Sequence, residues 1–260
     1  MTLDLIAGES GLQPELQEFA RDGFAMLTSV FSRAEIDMLT AELTDALAKP
    51  GASVLRRDDI VYAARNLIQV WPQAVSVWRR QPVIDFLRQV LGRQFGLVRV
   101  LFFDKPPEQT WSLPWHKDLT IAVRNNQLPS SRFRHPTTKA GVPHTEAPED
   151  LLENMVTARI HLDDVSMTNG PTRVQPGSHR AGKSVSFDET GSRTLTANQG
   201  DVLCIRPLVA HCSLPSAIGT KQHRRILHLE FAGTPELPDG YAWHDCIRSE
   251  SLEMEGMRSA

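Results

Sequence analysis

Two segments of this chain place a histidine and an aspartate two residues apart: Trp115-His116-Lys117-Asp118 and His161-Leu162-Asp163. In an extended strand, residues i and i+2 point to the same face, so an imidazole and a carboxylate at that spacing can share one cation. A second histidine from a distant strand would complete a facial set of three ligands. Three coordination positions then stay open, which suits a ferrous ion that takes a chelating cosubstrate and dioxygen. Spacing alone does not separate the two pairs. His161 follows the strand-like run Val156-Thr157-Ala158-Arg159-Ile160, and Asp163-Asp164 also reads as the start of a turn.

The distal histidine is better marked. Gly200-Asp201 forms a tight turn into Val202-Leu203-Cys204-Ile205, and Arg206-Pro207 leads to Ala210-His211-Cys212-Ser213. A histidine just past a buried strand can point into the mouth of a barrel. His135, His144, His179 and His244 lie in polar, loop-like segments, and His223 and His228 have no partner at ligand spacing. A dicarboxylate cosubstrate needs a fixed cation at its far end, and a guanidinium offers two parallel donors. Arg224 and Arg225 stand at the head of the strand-like run Ile226-Leu227-His228-Leu229-Glu230-Phe231, and only one of them can face inward.

These residues need a frame. Ser32-Arg33-Ala34-Glu35 has the form of a capping box, and Ile36, Leu39, Leu43 and Leu47 follow as one apolar helical stripe ended by Pro50-Gly51. A second helix is expected from Pro82 to Leu91 with Gly92 as its cap, and helix is also expected over 65–80. After Gly96 the texture changes to β-branched and aromatic residues, beginning with Leu97-Val98-Arg99-Val100-Leu101-Phe102-Phe103. Further strands are expected over 120–123, 156–162, 193–197, 201–205 and 225–231. Many short strands without alternating helices predict an antiparallel sandwich or barrel. Residues 124–148 are polar and too long for an ordinary turn, and are expected to form a loop that acts as a substrate lid. It carries Arg124, Arg132, Arg134 and Lys139 with no acidic residue before Glu146, which points to an anionic substrate.

The whole chain of 260 residues is read as a single domain: a mainly helical layer over 1–95, a core over 96–232 and an extension over 233–260. Hydrophobic residues at 41% and charged residues at 23% suffice for an ordinary core. A net charge of −3 and the lack of a basic stripe argue against nucleic acid. No apolar run approaches the roughly 18 residues that span a bilayer, so no membrane association is expected. The opening MTLDLIAGES lacks the basic-then-apolar order of a signal peptide. Three widely spaced cysteines, Cys204, Cys212 and Cys246, show no zinc or redox pattern, and a reducing cytoplasm is the expected location.

Taken in order, several of these segments resemble the phytanoyl-CoA dioxygenase family of iron and 2-oxoglutarate oxygenases. The matching pieces are Phe102-Phe103-Asp104-Lys105 and Pro114-Trp115-His116-Lys117-Asp118. They continue with Asn169-Gly170-Pro171-Thr172-Arg173-Val174-Gln175-Pro176-Gly177-Ser178-His179, Gly200-Asp201, His211-Cys212-Ser213 and Arg224-Arg225, together covering roughly residues 98 to 232. The resemblance implies a double-stranded β-helix, a cupin-like jelly-roll, with N-terminal helices packed on one side. It implies His116, Asp118 and His211 as ligands of Fe(II), in preference to His161 and Asp163. It also implies Arg224, rather than Arg225, on the distal carboxylate of 2-oxoglutarate, with Ser213 beside it and Lys105 as a further cosubstrate contact. Hydroxylation of a small molecule by dioxygen, with release of succinate and carbon dioxide, is the implied reaction; relatives that halogenate lack the carboxylate that Asp118 supplies. The alternative is a non-oxidative, metal-binding cupin-like isomerase or ligand-binding module, which would have no use for Arg224.

Overall fold

Three long strands carry the fold: β4 (Gly96–Lys105), β9 (Met155–His161) and β14 (Arg224–Ala232). They are buried along almost their whole length, but their two faces differ. On β9, Val156, Ala158 and Ile160 join the main hydrophobic cluster, as do Leu227, Leu229 and Phe231 of β14. The alternate residues Thr157, Arg159, His161, His228 and Glu230 are polar yet also buried. Because side chains alternate across a strand, one face of the sheet is apolar and the other is a buried polar floor.

β14 lies at the centre of this sheet, antiparallel to β9 on one side and to β4 on the other. Beyond β9 come β12 (Val202–Ile205) and β1 (Phe24–Leu27); beyond β4 come β3 (Ile60–Ala64) and β2 (Val54–Arg57), with β15 (Ile247–Arg248) also on β4. A second sheet runs in the order β11 (Arg193–Leu195), β10 (Thr172–Val174), β13 (His211–Ser213), β5 (Leu113–His116). A third small sheet joins β6 (Thr120–Ala122), β8 (Val142–Glu146) and β7 (Arg134–Lys139). The second sheet faces the polar floor of the first, giving the predicted jelly-roll. The computed structural model describes residues 11–107, 109–185 and 188–249. The amino-terminal segment judged for a signal peptide and the end of the expected C-terminal extension lie outside the described residues.

The apolar face is covered by helices, as expected. α1 (Gln13–Asp22), α2 (Arg33–Ala48) and α4 (Gln81–Leu91) supply Phe19, Ile36, Leu43, Leu47, Phe86 and Leu87 to the same cluster. The capping box is present: the Ser32 hydroxyl accepts from the Glu35 N–H, and the Glu35 carboxylate accepts from the Ser32 N–H. Gly92 caps α4 with φ +85°. Gly200 packs against the loop before α2, where an added Cβ would lie 2.2 Å from the Phe31 carbonyl oxygen. Phe86 is fully buried and meets Phe19 edge-on at 5.1 Å. Phe86→Ala should therefore cost about 3–5 kcal/mol in urea unfolding. No helix among the described residues is long and apolar enough to cross a membrane.

Two expectations need correction, and the N-terminal layer, whose longest elements are helices, also holds β1, β2 and β3. The stretch 65–80 holds only α3 (Leu67–Val70) and the 3-10 turn Pro72–Val75, since Pro72 cuts the pattern. Residues 124–148 are not a structureless loop: β7 and β8 form a hairpin whose turn residues Ala140 and Gly141 both have positive φ. That is the backbone a tight two-residue hairpin turn requires. A fifth short helix, α5 (Glu149–Glu153), leads from the hairpin into β9.

Candidate active site

A pocket of about 410 Å³ opens between the two large sheets, lined from one side by β4, β9 and β14 and from the other by β5, β10 and β13. His116 ends β5 and His211 begins β13, and the two residues are directly paired across the antiparallel ladder. Their rings lie 4.3 Å apart, centroid to centroid. Asp118 lies just beyond the end of β5, where its N–H bonds to the Pro207 carbonyl at 2.9 Å. Its carboxylate stands 3.8 Å from His116 Nε2 and 3.6 Å from His211 Nε2. One ligand atom from each of the three residues falls within 4.8 Å of the others.

Both imidazoles have a fixed tautomer. His116 Nδ1 is 2.7 Å from the Pro114 carbonyl and His211 Nδ1 is 2.9 Å from the Val209 carbonyl. A carbonyl only accepts, so each Nδ1 carries the proton and each Nε2 lone pair faces Asp118. Burial, then the nearby Arg159 guanidinium, pushes His211 down to about 3, so it is neutral and can donate its lone pair at ordinary pH. Burial works against ionisation of Asp118, but its neighbours His211 and the Arg159 guanidinium more than offset it and lower the pKa. With His211 neutral, Arg159 is the permanent charge that does this.

Arg159 was missed in the sequence. It projects from β9 onto the pocket floor, with its Nη2 3.0 Å from His211 Nε2 and 3.4 Å from Asp118 Oδ2. The rival pair is not brought together. His161 Nδ1 meets the Asp201 carbonyl at 3.2 Å, while Asp163 is taken up by a two-pronged pair with Arg225 at 2.6 and 2.9 Å.

The same pairing separates the two arginines. Arg225 faces Asp163, whereas Arg224 enters the pocket, is 3% exposed, and donates to the Ser213 hydroxyl at 2.8 Å. Its Nε is buried without a partner. Burial, then Arg159, lowers its pKa to about 10, so it stays charged. Lys105 pairs with Arg224 across the β4–β14 ladder and is fully buried. Its ammonium donates to the Leu214 carbonyl and lies 4.8 Å over the Trp111 ring rather than on the pocket wall. Burial and then Arg224 push it down to about 6. Gly170 makes room for it: with φ +79°, an added Cβ would lie 2.7 Å from Lys105 Cδ.

The motif segments serve as clasps. Ser178 Oγ accepts from the N–H of Ala210, next to His211, and donates to the Gln175 carbonyl. Lys117, between His116 and Asp118, donates to the Ser178 and Gly182 carbonyls at 2.9 and 2.5 Å. One short turn thus ties together both ligand-bearing segments. Asn169 holds the other end, its amide donating to the Asp164 and His223 carbonyls just ahead of Arg224. Of the hairpin cations, Arg132 is paired with Asp150 at 2.6 Å and Arg134 is exposed, while only Lys139 reaches the pocket.

Known proteins resemble this chain in sequence and in fold. Ectoine dioxygenase of Bordetella bronchiseptica is 25% identical over 174 residues, 64% of this chain and 49% of that protein. The chain thus spans about half the length of the curated relatives it matches. The crystal structure of EctD from S. alaskensis with 2-oxoglutarate and 5-hydroxyectoine shares the fold, with a TM-score of 0.65 at 18% identity over 89% of this chain and 78% of that one. The non-heme alpha ketoglutarate dependent epimerase SnoN from nogalamycin biosynthesis shares it as well, with a TM-score of 0.59 at 15% identity over 88% and 86%. The model of the family described as phytanoyl-CoA dioxygenase (PhyH) matches residues 19–225, so the chain belongs to that family.

Proposed function

We propose that this chain is an Fe(II)- and 2-oxoglutarate-dependent dioxygenase that hydroxylates a small molecule. His116, Asp118 and His211 would hold the iron, and Arg224 with Ser213 the distal carboxylate of 2-oxoglutarate. One observation carries the reading: two imidazoles and a carboxylate converge within 4.8 Å, in the same pocket as a buried arginine with an unpartnered Nε. The donor set fits a labile divalent ion with open positions, and Arg224 offers the forked donors that a carboxylate accepts.

When bound, iron with 2-oxoglutarate and dioxygen supplies the oxidising power for the reaction R–H + 2-oxoglutarate + O2 → R–OH + succinate + CO2. The chain's own residues do the positioning. The Pro114 and Val209 carbonyls hold the imidazole protons away from the centre. Arg159 keeps Asp118 ionised, and Arg224 would hold the distal carboxylate of the cosubstrate. Lys105 stands beside Arg224, and an arriving carboxylate would favour its protonated form. The three free cysteines fit a reducing compartment such as the cytoplasm.

Under argon, adding 2-oxoglutarate to the Fe(II)-loaded chain should produce a visible absorption band. A non-oxidative isomerase or binding module with the same triad would give none, and that result would sink the reading. The clasp gives a second prediction. Ser178→Ala frees the Ala210 N–H beside His211 and should weaken iron binding by about 10–100-fold, measured by competition with a chelator. An unchanged affinity would make Ser178 a packing residue only.

A further inference from the structure

The pocket carries more positive charge than the proposed reaction uses. Five cationic side chains line it (Arg65, Arg99, Lys139, Arg159, Arg224) against two anionic ones (Asp118, Glu230). Arg99 and Glu230 neutralise each other in a buried two-pronged pair, and Glu230 also accepts from His228 at 3.1 Å. If iron and the 2-oxoglutarate dianion are both bound, their charges cancel, and the excess of three positive charges remains.

Among the described residues, Arg65 and Lys139 carry most of that excess with no anionic group in ion-pair contact, Glu230 acting on both only at longer range. Arg65 makes no side-chain hydrogen bond or ion pair among the described residues. Burial and repulsion from Arg99 hold its pKa down. Among the described residues Lys139 donates only to the Thr120 hydroxyl, at 2.9 Å, and burial, then Arg99 and Arg65, hold its pKa down against the attraction of Glu230 and Asp118. Taking charges out of water without a counter-ion is costly, so two half-buried cations that repel each other across a cavity are a place built for an anion.

Their position is separate from the cosubstrate end. Arg65 directly follows Ala64, which lies opposite Phe102, and so stands beside Leu101, the residue paired with His228. Arg224 is four residues further along β14, a rise of about 14 Å. Beside Arg65, Leu101 gives the wall an apolar surface, and Tyr62 and Leu113 add to it elsewhere in the pocket.

Resting on the functional reading above, we propose that Arg65 and Lys139 form the head-group site for the primary substrate, and that this substrate is a small organic carboxylate with an apolar body. The carboxylate is gripped at Arg65 and Lys139, the body lies along Leu101, and the far end is presented to the triad.

The test is calorimetric binding to the full chain loaded with manganese(II), with and without saturating 2-oxoglutarate. The probes are butanoate, hexanoate, octanoate and cyclohexanecarboxylate, each beside its methyl ester. With 2-oxoglutarate bound, at least one acid should bind about tenfold or more tightly than its ester, a preference worth about 1.4 kcal/mol. Arg65→Gln and Lys139→Gln should each remove most of that preference while 2-oxoglutarate affinity holds, and Arg65→Lys should restore part of it. Melting temperatures of the variants report whether they fold. The proposal is overturned if no acid is preferred over its ester, or if the preference survives in the double glutamine variant. If 2-oxoglutarate fails to bind but the acid preference persists, the cosubstrate reading falls and the head-group site stands.

Discussion

Asp118→Ala should yield a folded chain that no longer retains iron after anaerobic dialysis. Turnover of 2-oxoglutarate should drop to about a thousandth or less, because the metal's charge stabilisation is worth several kcal/mol. Two imidazoles remain, but they cannot hold a labile divalent ion, and Arg159 is left 3.0 Å from His211 Nε2 with no carboxylate to balance it. His116→Ala and His211→Ala should behave alike. His161 provides the contrast: its ring is committed to the Asp201 carbonyl, so His161→Ala should lower stability yet keep one iron per chain. Iron lost in the His161 variant and kept in the His116 variant would move the centre to the other pair.

The second large effect belongs to Arg224→Ala. Losing a charge-assisted pair to a carboxylate in a nearly dry site costs about 2–5 kcal/mol, which is roughly 30- to several-thousand-fold in the 2-oxoglutarate requirement. Iron affinity should change little, since Arg224 touches none of the three ligands. Arg225→Ala removes a pair with Asp163 on the far side of the strand and should lower the melting temperature without changing the cosubstrate requirement. Titrating 2-oxoglutarate into both variants decides between them. The reverse ranking would mean that the cosubstrate enters from the other face of β14.

The strands and helices that bury one clear face were legible before any coordinates. The stripe Ile36, Leu43, Leu47 and its capping box gave α2, and the runs from Gly96, Val156 and Arg225 gave β4, β9 and β14 to within a residue or two. The two hairpins were not legible, for a physical reason. β7 is exposed on nearly every residue and β2 on half, so neither shows the alternation that reveals a half-buried strand. Their turns also use Ala140-Gly141 and Asp58-Asp59 at positive φ instead of Asn-Gly.

In the site, the ligand pairs were visible as spacings, but choosing between them needed family order, because both stand at strand ends. Arg159 left a signal that went unused. A lone arginine between Ala158 and Ile160, in a strand otherwise fit for the core, must either reach solvent or serve a cavity. Lys139 stood among the loop cations that point to an anionic substrate, but Arg65 left no signal, and only the tertiary fold brings the two to one wall.

The two-faced β14 has a consequence for how this chain can change. Residues 227, 229 and 231 hold the helices, while 226, 228 and 230 line the pocket, so fold maintenance and ligand choice are interleaved one residue apart on the same strand. Neighbouring positions therefore answer to different selective pressures. A lineage can rewrite the floor of the cavity and acquire new chemistry on the metabolite side, while the greasy reverse of the ribbon, and with it the fold, stays as it was.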